Sequence, residues 1–255
     1  MEKLKRQAFQ GVGNIIRFNW HFYVVATILV VVLIFAKKHL PYYLILTADV
    51  AIIFTITTTF ISLAISYFIY DYSDLYSLNW LNFLSIKPNT TLVNINAGFD
   101  ETSAIIKEKF PNSNLLVFDF YDTNKHTEIS IERARKAYPI FPDTQIISTD
   151  NIPLQANSVD YIFLIFAAHE IRNQDERILF FKQLKDALIN DGKIIVIEHQ
   201  RDIPNFIAYT IGFFHFHSTK TWKQTFERAE LPIVKEFKIT PFITSFILTK
   251  NGITS

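Results

Sequence analysis

The residues of this chain best equipped for chemistry sit just after short apolar runs. In Ala167-Ala168-His169-Glu170-Ile171-Arg172-Asn173, four polar or ionisable side chains follow the continuous apolar stretch 159–166. A histidine titrates near neutrality, so His169 is a candidate general base toward a phenol or similar hydroxyl, with Glu170 to orient it. Arg172 suits an anionic group, because its guanidinium presents a planar fork of donors. The competing reading is a local Glu170–Arg172 ion pair with His169 closing a strand. Glu198-His199-Gln200-Arg201-Asp202 holds the same position after the next apolar run, and adds His199 and Arg201 to a polar floor. His169, Glu170, His199 and Asp202 are all metal-ligand types. Their spacing matches no compact motif such as two histidines four apart, so no metal is expected. His215 and His217 fall in an aromatic stretch that reads as a helix or lid over the site.

Positioning these residues on one rim needs strands that end side by side. Residues 91–96, 115–120, 145–148, 159–166 and 193–198 read as strands, the last two buried on both faces. Residues 101–110 read as a helix capped by Asp100, and 129–138 as a helix with an exposed charged face. Residues 175–190 carry Ile178, Leu179, Phe181, Leu184, Ala187 and Leu188 at helical period, closed by Asn190-Asp191-Gly192. Strands alternating with helices imply βαβ units and a Rossmann-like, doubly wound, mostly parallel α/β sheet. Residues 219–229 read as a helix. Residues 233–239 and 243–249 then form two strands with no helix between them, so they pair antiparallel or cross the sheet. Ligands of such a sheet bind at the carboxyl ends of its strands.

The ordered set of short motifs resembles the class I S-adenosylmethionine-dependent methyltransferases of the type 11/25 kind. It comprises a strand, a glycine turn, a helix, and a strand ending in an acid. Asp150-Asn151-Ile152-Pro153-Leu154, Ser158-Val159-Asp160-Tyr161-Ile162-Phe163 and Leu188-Ile189-Asn190-Asp191-Gly192-Lys193-Ile194 follow. The resemblance spans residues 72–250 and is strongest over 149–198, and the closing strand pair is typical of the family. It implies S-adenosylmethionine as cofactor. Asp119, ending the second strand, would take the ribose hydroxyls, with a solvated turn acid or helix cap as the alternative. Asp150 would meet the adenine amino group, with Asn151 beside it and Ile152 as an apolar neighbour, or else be an ordinary turn aspartate. The cluster around His169 would lie where the family places its methyl acceptor. The first motif departs from the pattern: in Val93-Asn94-Ile95-Asn96-Ala97-Gly98-Phe99-Asp100, Asn94 stands for the usual acid. Only Gly98 remains of three glycines, and glycine matters there because a Cβ obstructs close approach of cofactor and backbone.

The N-terminal part differs in composition. From Asn19 to Ala36 there is no charged residue apart from neutral His21. Eighteen helical residues rise about 27 Å, close to a hydrocarbon thickness of roughly 30 Å. Residues 50–70 form a second uncharged run of about 31 Å. The basic link Lys37-Lys38-His39-Leu40-Pro41 suits a tight hairpin, and Trp20, Tyr23, Tyr42, Tyr43, Tyr67 and Tyr70 cluster near the run ends, where amphipathic rings prefer the interface. Asp49 is read as interfacial. Residues 4–16 have apolar residues at helical spacing and read as an interfacial helix or a frayed tail, with Gly11 and Gly13 weakening the helix. Lys3, Lys5, Arg6, Arg17 and Lys87 outnumber Lys37 and Lys38, which puts both termini in the cytoplasm of an inner-membrane protein.

The expected division is therefore an N-terminal segment 1–18, a transmembrane hairpin 19–70 and a methyltransferase-like domain 71–255. A net charge of +1, from 25 basic and 24 acidic residues, gives no field for nucleic acid. The absence of cysteine excludes disulfides, thiolate metal sites and cysteine nucleophiles. The expected function is methylation of a lipophilic small molecule (a quinone precursor, polyketide phenol or lipid) reached through membrane lipids. The alternative is a noncatalytic membrane scaffold of the same fold. A reductase is disfavoured, because its three-glycine fingerprint is absent.

Overall fold

A computed structural model describes residues 6–84, 86–125 and 128–251. Lys3, Leu4 and Lys5, used above, lie outside them. Seven strands form one sheet: β1 (Thr91–Asn96), β2 (Asn114–Asp119), β3 (Gln145–Ile146), β4 (Val159–Ile165), β5 (Leu188–His199), β6 (Ile233–Thr240) and β7 (Ile243–Thr249). Their order is β3-β2-β1-β4-β5-β7-β6. The first five run parallel, and β7 inserts antiparallel between β5 and β6. The chain reverses its winding between β1 and β4, so the crevice for a ligand opens at the carboxyl ends there.

Eight α-helices complete the fold: α1 (Gln10–Phe18), α2 (Trp20–Ala36), α3 (Tyr42–Tyr67), α4 (Ser103–Lys109), α5 (Ile129–Ala137), α6 (Gln174–Ala187), α7 (Ile203–Tyr209) and α8 (Thr219–Arg228). Alternate strand residues feed two cores, one per face. Val93, Ile162, Ile194 and Val196 pack with Phe181, Leu184, Trp222 and Phe226 from α6 and α8. Leu92, Phe163, Ile195 and Ile197 pack with Ile69, Leu75, Leu78 and Leu81 from the segment that follows α3.

Three readings of the sequence change. The helix expected to run to Asn190 ends at Ala187, because Leu188 turns extended and pairs with Val159, fully buried. The register then shifts before Tyr161 meets Lys193, so Asn190-Asp191-Gly192 lies inside β5 rather than closing a helix. Arg135 leaves the exposed face of α5 and turns inward to the Asp119 carboxylate. Finally, α1 is a helix that packs on the body of the protein. The Gly11 and Val12 amides donate to the two Asp71 oxygens at 2.7 Å, and Phe18 packs edge-on to Phe99 and Tyr138. Gly11 is needed there, since a Cβ would fall 2.4 Å from Tyr70 Cβ.

Two helical stretches, Trp20–His39 and Tyr42–Tyr72, are long and apolar enough to cross a membrane. None of the first and 6% of the second is buried, unlike helices of a soluble core. Asp49 lies within α3, two turns from its start, and pairs with Lys37 at the end of α2.

Candidate functional site

The turn after β1 is held open by its own asparagines. Asn96 Oδ1 accepts from the Gly98 amide at 3.0 Å, while its amide group donates to Phe118 O across to β2. Asn94 donates to Thr102 and Ser103 hydroxyls at 3.0 and 2.7 Å, which fixes the start of α4 to the strand. Gly98 has φ +99°, and a Cβ there would stand 2.9 Å from the Tyr121 ring and 3.0 Å from Ile131. Asp100 Oδ1 accepts two amides entering α4, as expected of a capping acid. Asp100 Oδ2 and Asn94 Oδ1 are buried without a hydrogen-bond partner among the described residues.

Asp119 ends β2 and is 2% exposed. One oxygen accepts the Tyr121 amide at 2.9 Å; the other receives the Arg135 guanidinium, which also reaches Gly98 O at 3.3 Å. The pairing compensates a charge that burial would otherwise penalise. Beside it, past the ends of β2 and β3, opens a cavity of about 330 Å³ lined in part by Tyr121, Lys125, Arg135, Ile146, Ser148 and Thr149. Asp150 and Asn151 are exposed, on a bridge between Ser148 and Asn151; the Ser148 hydroxyl donates to Asp150 and lowers its pKa. The apolar neighbour Ile152 is buried, its amide donating to Gln183 at 3.0 Å.

The second cluster stands at the ends of β4 and β5. Ala168–Glu170 forms a short 3-10 turn that buries His169 and Glu170. His169 Nδ1 lies 2.7 Å from Glu198 Oε2, its backbone amide donates to Glu198 Oε1 at 3.1 Å, and its Nε2 is 3.1 Å from Glu170 Oε1. Burial disfavours charge on His169, but Glu198 and Glu170 outweigh it and raise its pKa to about 10. Burial likewise opposes charge on Glu170, yet His169 and His215 hold its pKa well below the usual carboxylate range. His215 ends the 3-10 segment Thr210–His215 and places Nε2 3.2 Å from Glu170 Oε1.

Arg172 and Arg201 meet the same aromatic segment from two sides. Arg172 donates to the His215 carbonyl and ring, and Arg201 donates to Phe216 O and Phe214 O at 2.9 and 2.6 Å. His199 is enclosed. Its Nδ1 donates to Asn205 Oδ1 at 3.0 Å, an orientation fixed because the Asn205 amide group donates elsewhere, to Asp202 and Phe242 O. Its Nε2 therefore accepts the Tyr70 hydroxyl at 2.8 Å. Burial drives the His199 pKa down to about 4. The structure thus brings His169 and Glu170 together, sets Arg172 beside them through His215, and keeps His199 behind the rim.

Four participants were missed in the sequence. Glu198 carries no role in the sequence reading, although a lone acid closing the buried run Lys-Ile-Ile-Val-Ile is a signal in itself. Arg177 is 1% exposed and donates to Ile171 O, Thr225 and His217. It shares a helical face with Phe181 and Leu184, which marks it as inward-facing. Arg135 and Glu128 carried no signal, because their partners come from other elements.

Neither a protein-family model nor a curated protein sequence matches the chain. Solved structures do. A SAM dependent methyltransferase from Aquifex aeolicus matches with a TM-score of 0.51 at 16% identity, over 71% of this chain and 94% of its own. The geranyl diphosphate C-methyltransferase of Streptomyces coelicolor, solved with Mg2+, geranyl diphosphate and S-adenosyl-L-homocysteine, matches with a TM-score of 0.50 at 11% identity, over 69% of this chain and 78% of its own. Identities this low speak for architecture alone: the chain has the Rossmann-like fold of these methyltransferases.

Proposed function

We propose that the protein is an S-adenosylmethionine-dependent methyltransferase, anchored by a hairpin over residues 19–70, that acts on a lipophilic small molecule from its domain 71–255. The observation carrying this reading is the buried Asp119 at the end of β2, joined through Arg135 to the Gly98 turn at the end of the neighbouring β1, beside the switch point of the sheet. The residues fit the cofactor. Asp119 would hold the ribose, the Gly98 turn and the unpartnered Asp100 Oδ2 the amino-acid end, and the cavity beside Tyr121 and Ile146 the adenine. Bound there, the cofactor supplies a sulfonium methyl for in-line displacement, a reaction that depends mostly on proximity and alignment.

The chain's own residues supply position. Arg135 neutralises Asp119 and ties it to the Gly98 carbonyl, so the turn and the strand end move as one unit. The cluster at the ends of β4 and β5 is assigned to the acceptor. His169 is held between the Glu170 and Glu198 carboxylates and serves there as a positioned group rather than a free base. Arg172 and Arg201 hold the aromatic segment 210–217 over it. Lipophilic acceptors are favoured because Ile203, Phe206, Ile207, Ile211 and Phe214 expose their side chains beside α3, on the side where the hairpin leaves the domain.

Calorimetry on the full chain in detergent tests the reading. S-adenosylmethionine should bind at a single site, and Asp119→Ala should weaken it at least ~10-fold, as expected when a buried carboxylate loses its hydrogen bonds. A folded wild-type protein that takes up no heat-detectable cofactor would sink the proposal in favour of a noncatalytic scaffold.

A further inference from the structure

We propose that His169, Glu170 and His215 form a binding site for one divalent transition-metal ion, with Glu198 and Glu128 orienting the two imidazoles from behind. One ligand atom from each of the three side chains lies within 4.8 Å of the others. Glu170 Oε1 sits between the two rings, 3.1 Å from His169 Nε2 and 3.2 Å from His215 Nε2. Donors bound at about 2.0–2.1 Å around a tetrahedral ion stand roughly 3.3 Å apart, so the two spacings to Glu170 already fit and the two imidazoles have to close toward each other.

The surroundings match those of a metal site. A ligating histidine ordinarily gives its other ring N–H to a carboxylate, which fixes the tautomer and the direction of the free nitrogen. Glu198, fully buried, does this for His169 Nδ1 at 2.7 Å and also accepts the residue's backbone amide. Glu128 Oε1 stands 3.5 Å from His215 Nδ1, a longer approach than that of Glu198 to the first ring. Charge points the same way. Glu170 and Glu198 are two carboxylates out of water, and a dication in place of the proton on His169 Nε2 offsets the charge of both. One feature opposes binding: the Arg172 guanidinium lies against the His215 ring. Arg172 is exposed, and its bond to the His215 carbonyl can persist while its contact with the ring gives way to the ion.

Two imidazoles and one carboxylate, with no thiolate, select zinc, iron(II) or their neighbours over magnesium or calcium. Three protein ligands leave a coordination position open, and the half-buried His215 lies on the solvent side of the set. The site escapes sequence reading because Glu170 and His215 are 45 residues apart and meet only when segment 210–215 folds back. The inference rests on these side chains and not on cofactor binding.

The test uses the full chain in detergent, stripped with a chelator, dialysed against zinc and assayed for metal by mass spectrometry. One zinc per chain is expected, with His215→Ala and Glu170→Gln falling to background and His39→Ala, in the exposed link, retaining full occupancy. Glu198→Gln should bind 10–100-fold more weakly, the usual effect of removing an orienting partner. Cobalt(II) loaded into the wild type should show ligand-field absorption of a nitrogen–oxygen site, a readout that needs no variant to fold. Wild-type protein that returns from dialysis without zinc overturns the proposal. So does equal occupancy in His215→Ala, Glu170→Gln and the wild type.

Discussion

Both ring nitrogens of His199 are committed, one to Asn205 and one to Tyr70, and the ring stacks between Phe166 and Phe216. Nothing there accommodates a second proton, so its pKa falls from the ordinary 6.5 to about 4 in the folded protein. Between those values the unfolded chain binds a proton that the folded chain refuses. Stability is therefore fully present above pH 6.5 and declines as pH drops toward 4, by about 3 kcal/mol from this residue. Burial and the nearby Arg177 push His217 down to about 3, which adds to the same trend. Melting temperatures recorded from pH 7.5 to 4.5 should fall, and His199→Gln should start lower but vary less with pH. Gly98 makes a second residue-scale prediction. At φ +99°, with Tyr121 and Ile131 in the way, Gly98→Ala should lose about 1–3 kcal/mol of stability and abolish cofactor binding in the calorimeter.

At the scale of elements, α1 shows how a sequence pattern can be read correctly and its partner missed. Its apolar spacing suggested a bilayer surface, and Gly11 looked like a weakness. The structure instead uses Gly11 to bring α1 against Tyr70, where Asp71 receives the first amides of the helix. Gly13 has nothing within 4 Å of the place a Cβ would take. The two glycines should therefore respond oppositely. Gly11→Val should undock the segment and speed tryptic cleavage after Arg17 roughly tenfold, as a loss of 1–2 kcal/mol implies. Gly13→Ala should leave cleavage unchanged or slow it, since alanine favours helix. The buried strands were legible because runs such as Val-Asp-Tyr-Ile-Phe-Leu-Ile carry their own signal. The end of α6 was not, because burial of Leu188 against Val159 is a tertiary preference that overrides helical period. The site was half legible for the same reason. His169 and Glu170 stand out in one loop, whereas His215 joins them, and Arg135 joins Asp119, only through folding.

For the whole molecule, the lengths of the two apolar helices decide how the domain sits. Trp20–Ala36 has 17 residues and rises about 25 Å, little short of the hydrocarbon core. The returning stretch Tyr42–Tyr72 has 31 residues and rises about 46 Å, roughly 16 Å more than the core needs. That excess is the end at which Ile69 enters the domain core and the Tyr70 hydroxyl reaches His199. The second helix of the hairpin thus continues, through the π-helical turn Phe68–Tyr72, to the rim of the candidate site. Exposed Ile203, Phe206, Ile207, Ile211 and Phe214 lie beside it, where a membrane surface would cover them. Asp49 and Lys37 pair near the far turn, which lowers the cost of holding either at membrane depth. On the proposal that the hairpin crosses a membrane, the basic flanks put the turn outside and the domain inside. A chain without cysteine makes this directly measurable. In intact cells, Lys38→Cys should react with a membrane-impermeant maleimide, while Asn251→Cys should react only after permeabilisation. Equal labelling of both positions in intact cells, or protection of both after permeabilisation, would show that the hairpin does not cross the bilayer in this sense.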